Sequence, residues 1–126
     1  MTRTWCVAAI VAVSLLATAC GTAEPETGSG DSALAANGIP AKPSAEVAAA
    51  FVADLNAIDE DIVHGKPDKA VDRGRNQCRS VRSAPTDEAQ LVDLTNKRFS
   101  SPHHPNGFGT EVAARILAAV RKHLCP

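Results

Sequence analysis

The first twenty residues set the strongest limit on this chain, because they decide how much of it remains to form a domain. Arg3 precedes an uncharged, mostly apolar run over residues 4–19, which ends in small residues before Cys20. A positive charge, an apolar segment and small residues at a cleavage point are typical of a secretory signal peptide. The run is shorter than the roughly 20 residues needed to span a bilayer. We therefore expect residues 1–19 to be removed on export.

Cys20 at the cleavage point indicates a further modification. Residues 16–21 resemble a bacterial lipobox, in which the cysteine thiol receives a lipid and the peptide is cut just before it. Ala17-Thr18-Ala19 also satisfies the rule for ordinary signal peptidase, which would leave Cys20 unmodified. With the lipid, the protein is anchored to the outer face of the cytoplasmic membrane, in the cell envelope. Without the lipid, it is secreted.

The number of cysteines favours the lipid. Cys6 leaves with the signal peptide, so Cys20, Cys78 and Cys125 remain. An odd thiol is a liability in an oxidising compartment unless it is modified. Lipid on Cys20 leaves one pair, and we predict a disulfide between Cys78 and Cys125. We expect it to be structural, because redox-active pairs are usually spaced as Cys-x-x-Cys.

The chain after the signal peptide divides into a tether and a domain. Residues 20–44 are rich in Gly, Pro, Ser and Thr and hold almost no large apolar residue. Such a segment cannot bury enough surface to offset the entropy of ordering it, so we predict a flexible tether. Residues 45–126, about eighty in number, then form one small helical domain. Its few aromatic residues leave aliphatic side chains and alanine to fill the core.

Apolar periodicity predicts an all-α bundle of about four helices. In the first helix, predicted from Ala45 to Ile58, Ser44 is the N-cap. The large apolar residues from there fall at positions 47, 51, 55, 58 and 62, which trace one helical face. The sequence leaves open whether this helix continues through residues 59–63.

Pro, Gly and capping residues delimit the other three helices. The second begins at Pro67 and stops before Pro85, the third is capped by Thr86, and the last by Thr110. Residues 100–109, rich in Pro and Gly, are a loop between the third and the last. No alternation typical of strands appears, so no sheet is predicted.

Small residues mark one face of the second helix. Ala70, Gly74 and Cys78 follow one another at intervals of four, which places them in a single row. Such a row allows a neighbouring helix to approach closely, which suits a site where a disulfide must also form.

Three short motifs carry a family resemblance. They are the row Ala70-x-x-x-Gly74-x-x-x-Cys78, the opening segment over residues 51–56, and the terminal Cys125-Pro126 after an alanine-rich helix. In this order they resemble the domain of unknown function 732 family, small exported proteins of actinobacteria. The resemblance covers roughly residues 45–126 and implies an all-helical fold with the two cysteines joined and no known activity. The chain departs from the family in its loop at 100–109 and in Leu124.

The histidines are the obvious metal candidates. His103 and His104 are adjacent in a loop, and His123 lies on the last helix, so the three could coordinate zinc or copper if the fold brought them together. Their spacing matches no recognised metal motif, and histidines between two prolines are more often exposed. We therefore predict no metal and no other cofactor.

A basic stripe is the candidate surface for a partner. Arg75, Arg79 and Arg82 fall at spacings of four and three, on one side of the second helix. Such a stripe could meet an anionic envelope component, while a merely solvated or ion-paired face is the simpler interpretation. The net charge of −1 does not indicate a nucleic-acid-binding domain.

No motif indicates an enzyme. The chain lacks a Gly-x-Ser-x-Gly nucleophile motif and a glycine-rich phosphate loop. We expect a non-enzymatic module that binds the membrane through lipid on Cys20 and presents its helical domain to a protein or envelope partner. The alternative is a carrier of a small apolar ligand, in a cavity lined by Leu55, Ile58, Leu91, Ile116 and Leu117.

Overall fold

The computed structural model describes residues 28–125, and the predicted signal peptide and Cys20 lie outside them. The described chain is all-helical, with no strand, as the sequence predicts. Its helices are α1 (Gly28–Ala36), α2 (Ala45–Ile58), α3 (Glu60–Val63), α4 (Pro67–Ser83), α5 (Glu88–Arg98) and α6 (Thr110–His123). Among these residues, no helix is both long and apolar enough to cross a membrane.

The first predicted helix is confirmed, and the residues after it form a separate turn of helix. Ser44 caps α2 by accepting a hydrogen bond from the backbone N–H of Val47. At Asp59 the backbone is extended, which ends α2, and the Asp59 carboxylate then caps α3 through the N–H of Asp61. α3 ends at His64, whose left-handed backbone (φ 37°) turns the chain towards α4.

Two predicted caps are wrong by one residue. Asp87, not Thr86, accepts the N-terminal hydrogen bond of α5, at 3.0 Å from the N–H of Gln90. The N-cap of α6 is Gly109 and not Thr110, which is the first helical residue. Gly109 has φ 90°, a conformation that other residues rarely adopt, so glycine can occupy this position where threonine would be strained.

α6 packs against α2, α4 and α5, and α4 packs against α2, α3, α5 and α6, so these two helices form the middle of the bundle. The main core lies between α2, α4 and α6, and a smaller cluster joins α5 to α6. Fully buried side chains of the main core include Phe51, Leu55, Ile62, Phe99, Ile116 and Val120. The smaller cluster consists of Leu91, Val92, Ala113 and Leu117.

The row of small residues on α4 has the predicted effect. Gly74 is buried, and a Cβ atom built on it would lie 2.9 Å from Cζ of Phe51 and would overlap Leu124. Only hydrogen fits at this position, which allows α2 and the end of α6 to approach α4 closely.

α1 occupies residues that the sequence assigns to a flexible tether, and it packs against none of the other described helices. After it, Ile39 is 7% exposed and the carbonyl of Pro40 accepts a hydrogen bond from Arg75. One large apolar residue and one buried arginine thus fix the segment that leads into α2, an effect that overall composition does not reveal.

Candidate functional site

The two cysteines of the described chain form the predicted disulfide. The sulfur atoms of Cys78 and Cys125 are 2.14 Å apart, and their Cα atoms are 5.3 Å apart. Cys78 is fully buried in the middle of the main core. The bond therefore ties the end of the last helix to α4, which is a structural role. Cys20, the predicted lipid acceptor, is outside the described residues.

The predicted arginine stripe is wrong at its first member. Arg75 is 4% exposed and turns inward. Its Nε donates to the carbonyl of Pro40 at 2.9 Å, and its Nη1 pairs with Asp72 at 3.1 Å. Because burying a charge requires partners, this side chain is committed to the fold. Only Arg79 and Arg82 of the three are exposed.

A different arginine shares a cleft with Arg79. Arg98, the last residue of α5, lies with Arg79 on the wall of a surface cleft of about 340 Å³ between α4 and α5. The pKa of Arg98 is lowered, first by burial and then by the positive charge of Arg79. The other lining residues are Asn76, Ser80, Ser83, Ala84, Gln90 and Leu94. We call this cleft the α4–α5 groove.

Sequence reasoning missed Arg98 because the two arginines come from different helices. Their proximity depends on the register in which α5 packs against α4, and nothing in the spacing of one helix reveals that register. The only available signal is that Arg98 directly precedes the buried Phe99. An arginine next to an apolar anchor has its position fixed more closely than an arginine in a polar stretch.

The three histidines considered as metal ligands do not come together. His103 and His104 are both near the Asp61 carboxylate, with nitrogen–oxygen distances of 3.2 and 3.8 Å. His123 instead pairs with Asp54 on α2 at 2.7 Å and lies edge-on to Phe51. Among the described residues, no group of three or more His, Cys, Asp or Glu is arranged to hold a metal ion.

Asp61 is the hub of the larger polar cleft. Its carboxylate accepts a hydrogen bond from the Ser101 hydroxyl and lies beside His103. The Ser101 bond is the main cause that lowers the pKa of Asp61, and desolvation opposes it. The cleft has a volume of about 700 Å³ and is lined by Asn56, Asp59, Glu60, Asp61, His64, Gly65, His103 and His104.

The hydrogen bonds at Asp61 hold a loop in place. The Ser101 hydroxyl donates to the Asp61 carboxylate, and its oxygen accepts from the backbone N–H of His104 at 3.1 Å. Ser101 is also only 7% exposed. Its hydroxyl is therefore used to hold the loop over residues 100–109 against α3.

The residues considered as the lining of an apolar cavity pack into the two clusters instead. Leu55 and Ile116 belong to the main core, Ile58 packs against it, and Leu91 and Leu117 belong to the smaller cluster. The four residues other than Ile58 are fully buried. The clefts that we describe among residues 32–125 lie at the surface, and none is lined by these four residues. This geometry favours contacts on the outside of the bundle over a ligand inside it.

No family model, no curated protein and no solved structure matches this chain. The resemblance to the domain of unknown function 732 family therefore stays a prediction.

Proposed function

We propose that the chain is an exported lipoprotein, anchored through lipid on Cys20, whose helical domain binds a protein or another component of the cell envelope. The signal-like residues 1–19 and the lipobox-like residues around Cys20 support the anchor. The disulfide supports export, because such bonds persist in oxidising compartments and are rare in the cytosol.

Partner binding is supported by the contrast between a filled interior and a surface that has polar clefts. Phe51, Gly74 and Leu124 leave no room even for one added methyl group at the centre. Arg98 and Asp61, whose pKa values are both lowered by their surroundings, line open clefts instead. A domain with a filled centre and clefts at its surface acts by contacting a partner on the outside.

The anchor is tested by the intact mass of the protein extracted from envelope membranes. We expect a chain that begins at residue 20 and carries the mass of the lipid, and we expect Cys20→Ser to move the protein into the medium or the soluble fraction. A membrane-extracted protein whose Cys20 carries no lipid would overturn this part of the proposal.

Partner binding is tested by chemical crosslinking of the anchored protein in intact cells, followed by identification of the crosslinked species. We expect specific crosslinks from residues on the outside of α4 and α5. A matched control is the same protein crosslinked after detergent extraction, in which a specific envelope complex is diluted. If intact cells give only the diffuse background of that control, the partner-binding proposal fails.

A further inference from the structure

We propose that the α4–α5 groove binds a phosphate group, with the Arg79 and Arg98 guanidinium groups as its main ligands. The inference rests on the proposed function only in assigning that phosphate group to an envelope component. The groove and its charge are properties of the described residues and do not depend on the anchor.

The Arg79 and Arg98 guanidinium groups have no anionic partner among the described residues. Among residues 32–125, neither Arg79 nor Arg98 has a carboxylate within salt-bridge distance, and neither side chain donates a hydrogen bond to a described residue. On a neighbouring surface Arg121 forms two hydrogen bonds with the Glu88 carboxylate, at 3.1 and 2.8 Å. Arg121 thus has a carboxylate partner among the described residues, and the two arginines of the groove do not.

The positive charges in the groove lower the stability of the fold as long as no anion is bound. Arg98 is partly buried, and a partly desolvated cation without a counterion is destabilising. No carboxylate lines the groove, although acidic residues slightly outnumber basic residues in the whole chain. Two like charges facing one cleft create a local positive potential that an oxyanion would neutralise.

Neutral hydrogen-bond donors line the groove beside the arginines. The Ser80 hydroxyl and the Gln90 carboxamide line the groove and make no side-chain hydrogen bond to another described residue. A phosphate has several acceptor oxygens, and two arginine forks with a hydroxyl and an amide match this number of acceptors better than a single carboxylate does. The open shape of the groove suits a phosphate that is attached to a larger molecule.

The test is a titration of the purified full chain with inorganic phosphate, observed through the side-chain Nε–H signals of its arginines by nuclear magnetic resonance. We expect saturable shifts of the Arg79 and Arg98 signals. Arg79→Gln and Arg98→Gln should each weaken phosphate binding by about tenfold or more, because each removes a charge-assisted pair of hydrogen bonds.

Arg115→Gln is the matched control, because Arg115 is exposed on α6 and does not line the groove, so the variant removes the same charge outside it. This variant should bind phosphate as the wild type does. Arg98→Lys keeps the charge but lacks the planar pair of donors of a guanidinium group. It should bind phosphate weakly while remaining folded, which separates loss of the site from loss of the fold. Absence of saturable shifts in the wild type, or equal weakening by all three glutamine variants, would overturn the proposal.

The source of the phosphate is distinguished by a vesicle assay with the Cys20→Ser variant, which lacks the lipid acceptor. Binding to phosphatidylglycerol vesicles but not to phosphatidylcholine vesicles, lost in Arg98→Gln and kept in Arg115→Gln, identifies a lipid headgroup. Phosphate binding without vesicle binding identifies a phosphate on a soluble or polymeric molecule. Failure to crosslink a partner would contradict the proposed function while leaving the phosphate site intact.

Discussion

The two ends of α6 are fastened to the bundle by different chemistry. At its C-terminal end, Cys125 is bonded to Cys78, and Leu124 packs against Gly74. We call this the covalent end. At its N-terminal end, the loop over residues 100–109 is held by hydrogen bonds to Asp61 on α3 and to Asn96 on α5. We call this the polar end.

The two ends contribute to the stability of this domain, which has few aromatic residues, in different ways. The covalent end combines a bond that constrains the unfolded chain with close packing, and neither depends on pH in the neutral range. The polar end spreads its contribution over several partly exposed contacts, each of which competes with water. We therefore expect loss of the covalent end to unfold the domain far more readily than loss of any one contact at the polar end.

The largest expected effect is that of opening the disulfide. Cys125→Ser removes a crosslink between residues 47 apart in sequence. The chain-entropy model assigns about 4 kcal/mol to a loop of this length. Urea denaturation should show an unfolding free energy lower by about that amount. Cys20→Ser is the control, and it should leave the unfolding free energy unchanged. A Cys125→Ser protein as stable as the wild type would contradict the comparison.

The next effect is that of filling the space at Gly74. In Gly74→Ala, the new methyl group meets Phe51 and Leu124, and overpacking of this kind costs about 1–3 kcal/mol. The better helix propensity of alanine offsets up to about 1 kcal/mol of this. We expect a net loss of about 1–2 kcal/mol in thermal or urea unfolding. Adding Leu124→Ala should cost less in the Gly74→Ala background than in the wild type, and strictly additive losses would argue against steric overlap.

A smaller effect is expected at the polar end from Asn96→Ala. Asn96 accepts from the N–H of Gly109 at 2.9 Å and donates to the carbonyl of Asn106 at 3.2 Å. Both bonds are exposed, so water can replace them, and we expect a loss of about 1 kcal/mol. Hydrogen exchange should speed up in residues 106–110 while α4 keeps its protection. Faster exchange throughout the bundle would show that the polar end is not a separate fastening.

Of these variants, Asp61→Asn is expected to change the stability at neutral pH the least. Its main effect is on how the stability depends on pH. The pKa of Asp61 is lowered, first by the Ser101 hydrogen bond and then by His103. Its ionised form therefore stabilises the folded state above the ordinary carboxyl pKa of about 3.9, and this contribution is lost as the pH falls through the folded value.

The unfolding temperature of the wild type should therefore fall more steeply than that of Asp61→Asn as the pH is lowered from about 5 to 3. Asp93→Asn is the control, because it removes an equal charge from an exposed pair with Lys97. Parallel pH profiles for the wild type and Asp61→Asn would mean that this carboxylate does not hold the loop.

Features that depend on spacing within one helix could be predicted from the sequence. The apolar face that contains Phe51 and Leu55, the start of α4 at Pro67 and the small row through Gly74 are all confirmed. Each follows from local periodicity or from the special geometry of proline and glycine. The disulfide could be predicted because the expected removal of a signal peptide and the expected lipid on Cys20 leave one pair.

Features that depend on contacts between segments could not be predicted. Arg75 has the spacing of an exposed stripe, but a carbonyl 35 residues earlier in the chain draws it inward. Arg98 joins Arg79 only through the packing of α5 on α4. His123 pairs with Asp54 because α6 lies beside α2, which separates it from His103. In each case the partner lies far away in sequence, and only the tertiary register decides which one is reached.

The bond between Arg75 and Pro40 has a mechanical consequence. Arg75 and Cys78 lie on α4 less than one helical turn apart. A pull on the chain before Pro40 thus reaches α4 close to the point where the disulfide holds the end of α6. While this hydrogen bond holds, part of any tension between the two ends of the domain would pass through this short stretch of helix, and the rest would follow the covalent chain from Pro40 into α2.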